Sequence, residues 1–219
     1  MKALMNNLRL ICIVFLFFGS SAPAWCDSVG YAEIKKIQFE TSDISIVHWH
    51  DWSTKKNRDA RWAMISTDKN PFTESNTYSY IQAFDKKSGN ILFKSPVPAL
   101  TVIWATPDSN YIIGISNIKV WNPYHLVVFN KKGDLLYKAA IDTKSYPDAS
   151  ESVTNWINWY KEPVPKITLK NTIDSVEISI ESNNVWKQSV INGELTYGER
   201  PNPVPIRIFR FPLKSDYIN

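Results

Sequence analysis

Phe84-Asp85-Lys86-Lys87-Ser88-Gly89-Asn90-Ile91-Leu92-Phe93-Lys94 is echoed, one residue shorter, by Phe129-Asn130-Lys131-Lys132-Gly133-Asp134-Leu135-Leu136-Tyr137-Lys138. In both copies an apolar run ends at an Asp or Asn, a lysine-rich turn follows, and a second apolar run begins. Each copy reads as a strand, a tight turn and a second strand, with glycine where the turn needs positive φ. The fold class rests on this duplicated hairpin.

Matches continue upstream. Val47-His48-Trp49 pairs with Val102-Ile103-Trp104 and, more faintly, with Ile157-Asn158-Trp159, which sets Trp49, Trp104 and Trp159 at intervals of 55 residues. Trp62-Ala63-Met64-Ile65-Ser66 pairs with Ile112-Ile113-Gly114-Ile115-Ser116. Repeat-like units are therefore expected at about 45–95 and 100–142, with a third at 155–195. The recurring tryptophans are expected in the core.

Short alternating or continuous apolar runs closed by Pro, Asn, Asp or Gly place strands at Ala32–Phe39, Ile44–Trp49, Trp62–Ser66, Tyr78–Phe84, Ile91–Lys94, Thr101–Trp104 and Tyr111–Ser116. They continue at His125–Phe129, Leu135–Ile141, Lys166–Leu169, Ser175–Ile180, Trp186–Ile191 and Ile206–Phe211. The last run alternates as an edge strand with Arg207 and Arg210 outward, placed to close the sheet against the first strand. A short helix fits Ser152–Tyr160. With helical periodicity otherwise scarce, the pattern implies antiparallel pairing and an all-β fold.

Thr106-Pro107-Asp108-Ser109-Asn110-Tyr111-Ile112-Ile113-Gly114, followed by the Phe129–Lys138 hairpin, resembles β-propeller blades of the WD-repeat and TolB-like kinds. The likeness covers about Val47 to Ile141, under half of the chain. It implies propeller-blade-like antiparallel repeats. A closed ring needs about four blades or more, and the chain has room for three or four of roughly 45–55 residues. An incomplete propeller or a twisted sandwich is the expectation.

Lys2 and Arg9 precede the nine-residue apolar run Leu10–Phe18, a break at Gly19-Ser20-Ser21 and the small residues of Ala22-Pro23-Ala24. That order reads as a secretory signal peptide over residues 1–24, leaving a single β-rich domain at 25–219 in the periplasm or outside the cell. As a helix, nine residues span about 14 Å, half of a bilayer core, so no stable membrane anchor is expected. Trp25 stands where lipidation of Cys26 requires a small residue. Removing Lys2 and Arg9 takes the net charge from +4 to +2, too little and too dispersed for a nucleic-acid partner. Cys12 leaves with the signal, so Cys26 has no partner for an internal disulfide.

Little in the chain points to catalysis. There is no Gly-x-Ser-x-Gly elbow, and the seven scattered glycines form no phosphate cradle. Paired carboxylates such as Asp148 with Glu151 and Glu194 with Glu199 sit in Ser- or Pro-flanked loops and read as solvated. His48 and His50 stand two apart in His-Trp-His-Asp, on one face of a strand and beside Asp51, which is the chain's candidate metal set. His125 is the third and last histidine. Asn70-Pro71-Phe72 and Asn122-Pro123-Tyr124 place aromatic rings on proline turns; with Trp52 and Trp121 they form the candidate contact set. The resulting expectation is a non-catalytic exported module without a cofactor that binds another envelope protein, one form being an immunity-type inhibitor of an envelope-acting toxin. The alternatives are a metal-binding protein or hydrolase using His48, His50 and Asp51, and a structural envelope subunit.

Overall fold

The structure, a computed structural model, describes residues 34–66, 70–119, 122–142, 149–151, 156–182, 185–191, 194–199 and 206–213. The expected signal peptide, Cys26 and Trp121 lie outside these residues.

Strands β1 (Ile34–Glu40), β2 (Ile44–Asp51), β3 (Ser79–Asp85) and β4 (Ile91–Pro96) form a first antiparallel meander in the order β1-β2-β3-β4. Strands β5 (Val102–Ala105), β6 (Tyr111–Ile115), β7 (Leu126–Asn130) and β8 (Leu135–Ala139) repeat it as β5-β6-β7-β8. Beyond a short ladder of β9 (Ser150–Glu151) with β10 (Ile157–Asn158), a third sheet is built from β11 (Ile167–Asn171) and β12 (Ser175–Glu181). β13 (Val185–Ile191) and β14 (Glu194–Glu199) form a separate hairpin, and β15 (Ile206–Pro212) returns to complete the third sheet as β11-β12-β15. The described residues are mostly antiparallel sheet, as the apolar runs predicted.

The duplicated hairpin is a structural repeat. β3–β4 and β7–β8 occupy the third and fourth places of their sheets, and the turn glycines Gly89 and Gly133 have φ of 74° and 89°. Each ladder slips at the matching position, between Ala83 and Phe84 in one and Val128 and Phe129 in the other. Leu92 and Leu136 are the extra residues of two equivalent bulges, which increase the local twist.

The middle sheet is buried on both faces. Ile112, Val127 and Phe129 pack with Ile44, Ile46, Ile81, Ala83 and Phe93 of the first sheet. Ile113, Ile115, Leu126 and Val128 pack with Val176, Ile178, Ile180, Phe209 and Phe211 of the third. Strands with no wet side must be apolar throughout, and Val-Ile-Trp-Ala, Tyr-Ile-Ile-Gly-Ile and Leu-Val-Val-Phe-Asn are nearly so. The outer sheets alternate instead, buried and half-buried along β2 and exposed and buried along β15. Their outward positions carry Ser45 and Gln82 on the first sheet and Glu177 and Arg210 on the third. The result is a three-layer stack, with no closed ring among the described residues.

Several expectations give way. Residues Trp62–Ser66 belong to helix α1 (Lys55–Ser66), not to a strand. Thr54 caps the helix, its Oγ1 accepting the Asn57 N–H at 3.1 Å, and the Lys-, Arg- and Ala-rich segment favours helix. Val47-His48-Trp49 lies on the second strand of its sheet and Val102-Ile103-Trp104 on the first, so the 55-residue spacing is not a structural period. Of the three tryptophans only Trp159 is fully buried. Ile157–Asn158 is strand, not helix. β15 pairs with β12 rather than β1, and Arg207 is buried, its Nε donating to the Trp159 carbonyl at 2.7 Å. Arg210 stays outward and pairs with Glu177.

Phe93 of the first sheet sits on the Gly133 turn of the second; a Cβ at Gly133 would fall 2.6–2.8 Å from its side chain, whereas one at Gly89 meets nothing within 4 Å. Gly89→Ala should therefore cost only the left-handed backbone penalty, about 1 kcal/mol, and Gly133→Ala that penalty plus an overpacking cost of about 1–3 kcal/mol. Urea denaturation of the two variants checks this, and equal losses would contradict the stacking.

Candidate functional site

Two loops bring their proline turns together. In loop 70–78, Asn70 Oδ1 accepts the Phe72 N–H at 3.1 Å, closing an Asx turn. Buried Asn76 donates from Nδ2 to the carbonyls of Pro71 (2.8 Å) and Val97 (2.9 Å) and accepts the Ser79 N–H at Oδ1 (3.2 Å). In the second loop, buried Asn122 does the equivalent work, its Nδ2 reaching Ser116 Oγ (2.9 Å), the Ile118 carbonyl (3.1 Å) and the Ala99 carbonyl (3.2 Å). Each loop is thus fastened from within, because leaving a buried amide unpaired would cost about 1–3 kcal/mol.

Phe72 and Tyr124 meet at the seam between the first and middle sheets, ring centroids 5.6 Å apart. Phe72 also rests 6.5 Å from Phe129. The ammonium of exposed Lys138, on edge strand β8, stands 4.5 Å from the Tyr124 ring and 5.3 Å from that of Phe72. Of the expected contact residues these two come together. Trp52 does not join them: it is 1 % exposed, with the Arg61 guanidinium 3.2 Å above its ring and His50 4.5 Å away. It is a core ring that anchors α1.

A second aromatic station lies on the outer face of the first sheet. Trp49 and Tyr80 are direct cross-strand partners, stacked with centroids 5.3 Å apart, and Lys94 Nζ lies 3.9 Å from the Tyr80 ring. With Pro96 and with Glu74, Asn76 and Thr77 of loop 70–78 they line an open groove of about 520 Å³. Loop 70–78 is therefore shared by both stations. Spacing had assigned Trp49 to the core; the alternation of Ile44, Ile46, His48 and His50 as the buried set was the signal that it faces outward.

The histidines form a buried hydrogen-bonded pair. The Leu100 N–H donates to His48 Nε2 at 3.0 Å, which fixes the His48 proton on Nδ1, where it is donated to the Tyr80 carbonyl at 2.9 Å. His50 Nδ1, 3.1 Å from the same His48 Nε2, is then a second donor to it. Burial above all, with the neighbouring His50, pushes the His48 pKa well below its usual range. Burial, then the charges of Lys35 and Arg61, push His50 down to about 3. Asp51 is turned to Ser53, whose Oγ (2.6 Å) and N–H (2.8 Å) hydrogen-bond its carboxylate and hold its pKa low. The His48 lone pair thus already serves two protein donors, and Asp51 is not brought onto it. Among the described residues no group of three His, Cys, Asp or Glu side chains is arranged to hold a metal ion. His125 accepts the Ile141 N–H at Nδ1 (3.0 Å), and burial lowers its pKa to about 4.

No protein-family model matches the chain, and neither a curated protein nor a solved structure resembles it significantly.

Three histidines held neutral in the fold are free to protonate when it unfolds. Below pH 6.5 the unfolded chain binds more protons, so stability falls as pH falls, by up to about 1.4 kcal/mol per pH unit per histidine. Carboxylates such as Glu40, Asp51 and Asp85, whose pKa values are lowered by hydrogen bonds, lose little charge in either state above about pH 5.5, so the histidines dominate the decline between about pH 7 and 5.5. Urea unfolding at pH 8, 7, 6.5 and 5.5 should show equal stability at 8 and 7 and a decline beneath; constant stability down to pH 5.5 would contradict the neutral histidines.

Proposed function

We propose that this protein is a non-catalytic, exported binding module that recognises another protein of the cell envelope through the surface centred on Phe72, Tyr124 and Lys138. The observation that carries the reading is the convergence of two proline-turn loops, 52 residues apart in sequence, each locked by a buried asparagine, on one aromatic pair. Aromatic side chains held rigidly lose little conformational freedom on binding, so more of their contact energy remains as affinity. Rigid loops at the seam of a packed stack are the usual place for recognition. The commitments of His48 and His50 also support it: His48 is engaged by backbone at both ring nitrogens, and His50 Nδ1 is engaged by His48.

Photo-crosslinking tests the proposal in the producing cell. Benzoylphenylalanine at position 72 or 124 should give one discrete heavier adduct. The same group at Ile173, fully exposed between β11 and β12, should give none. Absence of an adduct from both aromatic positions, or one of equal yield from position 173, would reject the surface.

A further inference from the structure

Lys94 and Lys138 are register-equivalent. Lys94 on β4 opposes Gln82, two residues before Phe84, and Lys138 on β8 opposes Val127, two residues before Phe129. Both are exposed on edge strands, and both hold the ammonium over an aromatic ring, Tyr80 on β3 for Lys94 and Tyr124 in the loop before β7 for Lys138. Lys55, Lys86, Lys119 and Lys161 each pair with a carboxylate. Among the described residues no carboxylate pairs with Lys94 or Lys138. Two cations are thus presented at the same point of successive layers, and packed sheets lie about 10 Å apart.

We infer that the partner engages this surface with an acidic protein segment, two of whose carboxylates lie about 10 Å apart, one on Lys94 and one on Lys138. The inference rests on the recognition surface proposed above and names the chemistry of what binds there. Aromatic rings beneath the ammonium groups already shed part of their water and fix their positions, which favours an incoming carboxylate over a mobile surface lysine. Trp49, Phe72 and the groove walled by loop 70–78 supply contact for the residues linking the two acids. Glu74, in the groove wall beside Lys94, adds a negative charge that a uniformly anionic surface would meet and a segment with spaced acids can avoid. A peptide chain is therefore favoured over a lipid headgroup plane.

Spacing is the test. Polyproline II rises about 3.1 Å per residue with three residues per turn, so a Glu-Pro-Pro-Glu peptide holds its acids on one side about 9 Å apart, and a Pro-Glu-Glu-Pro isomer does not. In NMR titrations of the purified chain the first peptide should shift resonances of both Tyr80 and Tyr124. It should bind at least threefold tighter than the isomer, the scale of one exposed ion pair. K94Q and K138Q should each abolish that preference, and K87Q, in the β3–β4 turn, should leave it intact. Equal binding of the two peptides, no binding of either, or a preference that survives both substitutions would overturn the inference. So would phosphatidylglycerol vesicles that produce the shifts where the peptides do not, which would put a membrane in place of the segment. Crosslinking from position 124 separates the two ideas: an adduct undiminished in the K94Q/K138Q double variant keeps the recognition surface and removes its acidic partner, whereas loss of the adduct from the otherwise unaltered chain removes both.

Discussion

Burying both faces of the β5–β8 sheet is the constraint on which the rest of the molecule depends. A single antiparallel sheet with one apolar face can rest on one neighbour, but Ile112, Ile113, Ile115, Leu126, Val127, Val128 and Phe129, all essentially inaccessible, project to both sides and require two. Each such side chain contributes about 1.5–3 kcal/mol when withdrawn from water, so separating either outer sheet forfeits a large part of the fold's stability. The first sheet is fastened to the middle one at two further points. Leu100, whose N–H is held by His48, lies against Gly114, where a Cβ would come within 2.5 Å of it. Phe93 lies on the Gly133 turn. At Gly133 a side chain of the neighbouring layer occupies the space and the turn has a φ of 89°, while at Gly114 the Leu100 side chain of the β4–β5 linker fills it.

The proposed recognition surface is a by-product of that stacking. Repeating one meander in adjacent layers places a lysine at the same register position of each edge strand and leaves a seam that the connecting loops must cross. Loop 70–78 crosses it, packing Phe72 on Tyr124 on one side and walling the Trp49–Tyr80 groove on the other. Asn76 and Asn122 hold these excursions in place by bonding carbonyls of the neighbouring linkers. Sequence variation in the loop tips would change the surface without disturbing the stack, since the fastening groups are buried beneath it.

What could be read from the chain alone follows from how local each signal is. The hairpin copies were legible because a strand, a glycine turn and a strand are contiguous, and the matching bulges at Leu92 and Leu136 follow from the same residues. The distinction between continuous runs such as Leu-Val-Val-Phe and alternating ones such as Ile-Ser-Ile-Val-His-Trp was also present, and it already separates a sheet covered twice from one covered once. Spacing of tryptophans misled, because α1 is inserted between β2 and β3 and shifts the count, so Trp49 and Trp104 coincide in interval but not in place. Trp52 and Arg207 were misplaced for a related reason: their burial depends on Arg61 in α1 and on the Trp159 carbonyl, contacts that no local pattern encodes. The proline-turn aromatics were identifiable as candidates, but their convergence was not, since it arises only when two sheets stack.

Native-state hydrogen exchange tests the stack most directly. If the middle sheet is clamped from both sides, the paired amides of β6 and β7 should be the slowest in the protein and should exchange together, through global unfolding alone. The paired amides of β1 and β15, in layers with one open face, should exchange faster. Amides of β6 and β7 that exchange ahead of those in either outer sheet would show that the middle layer can open alone, and the account of the fold would be wrong.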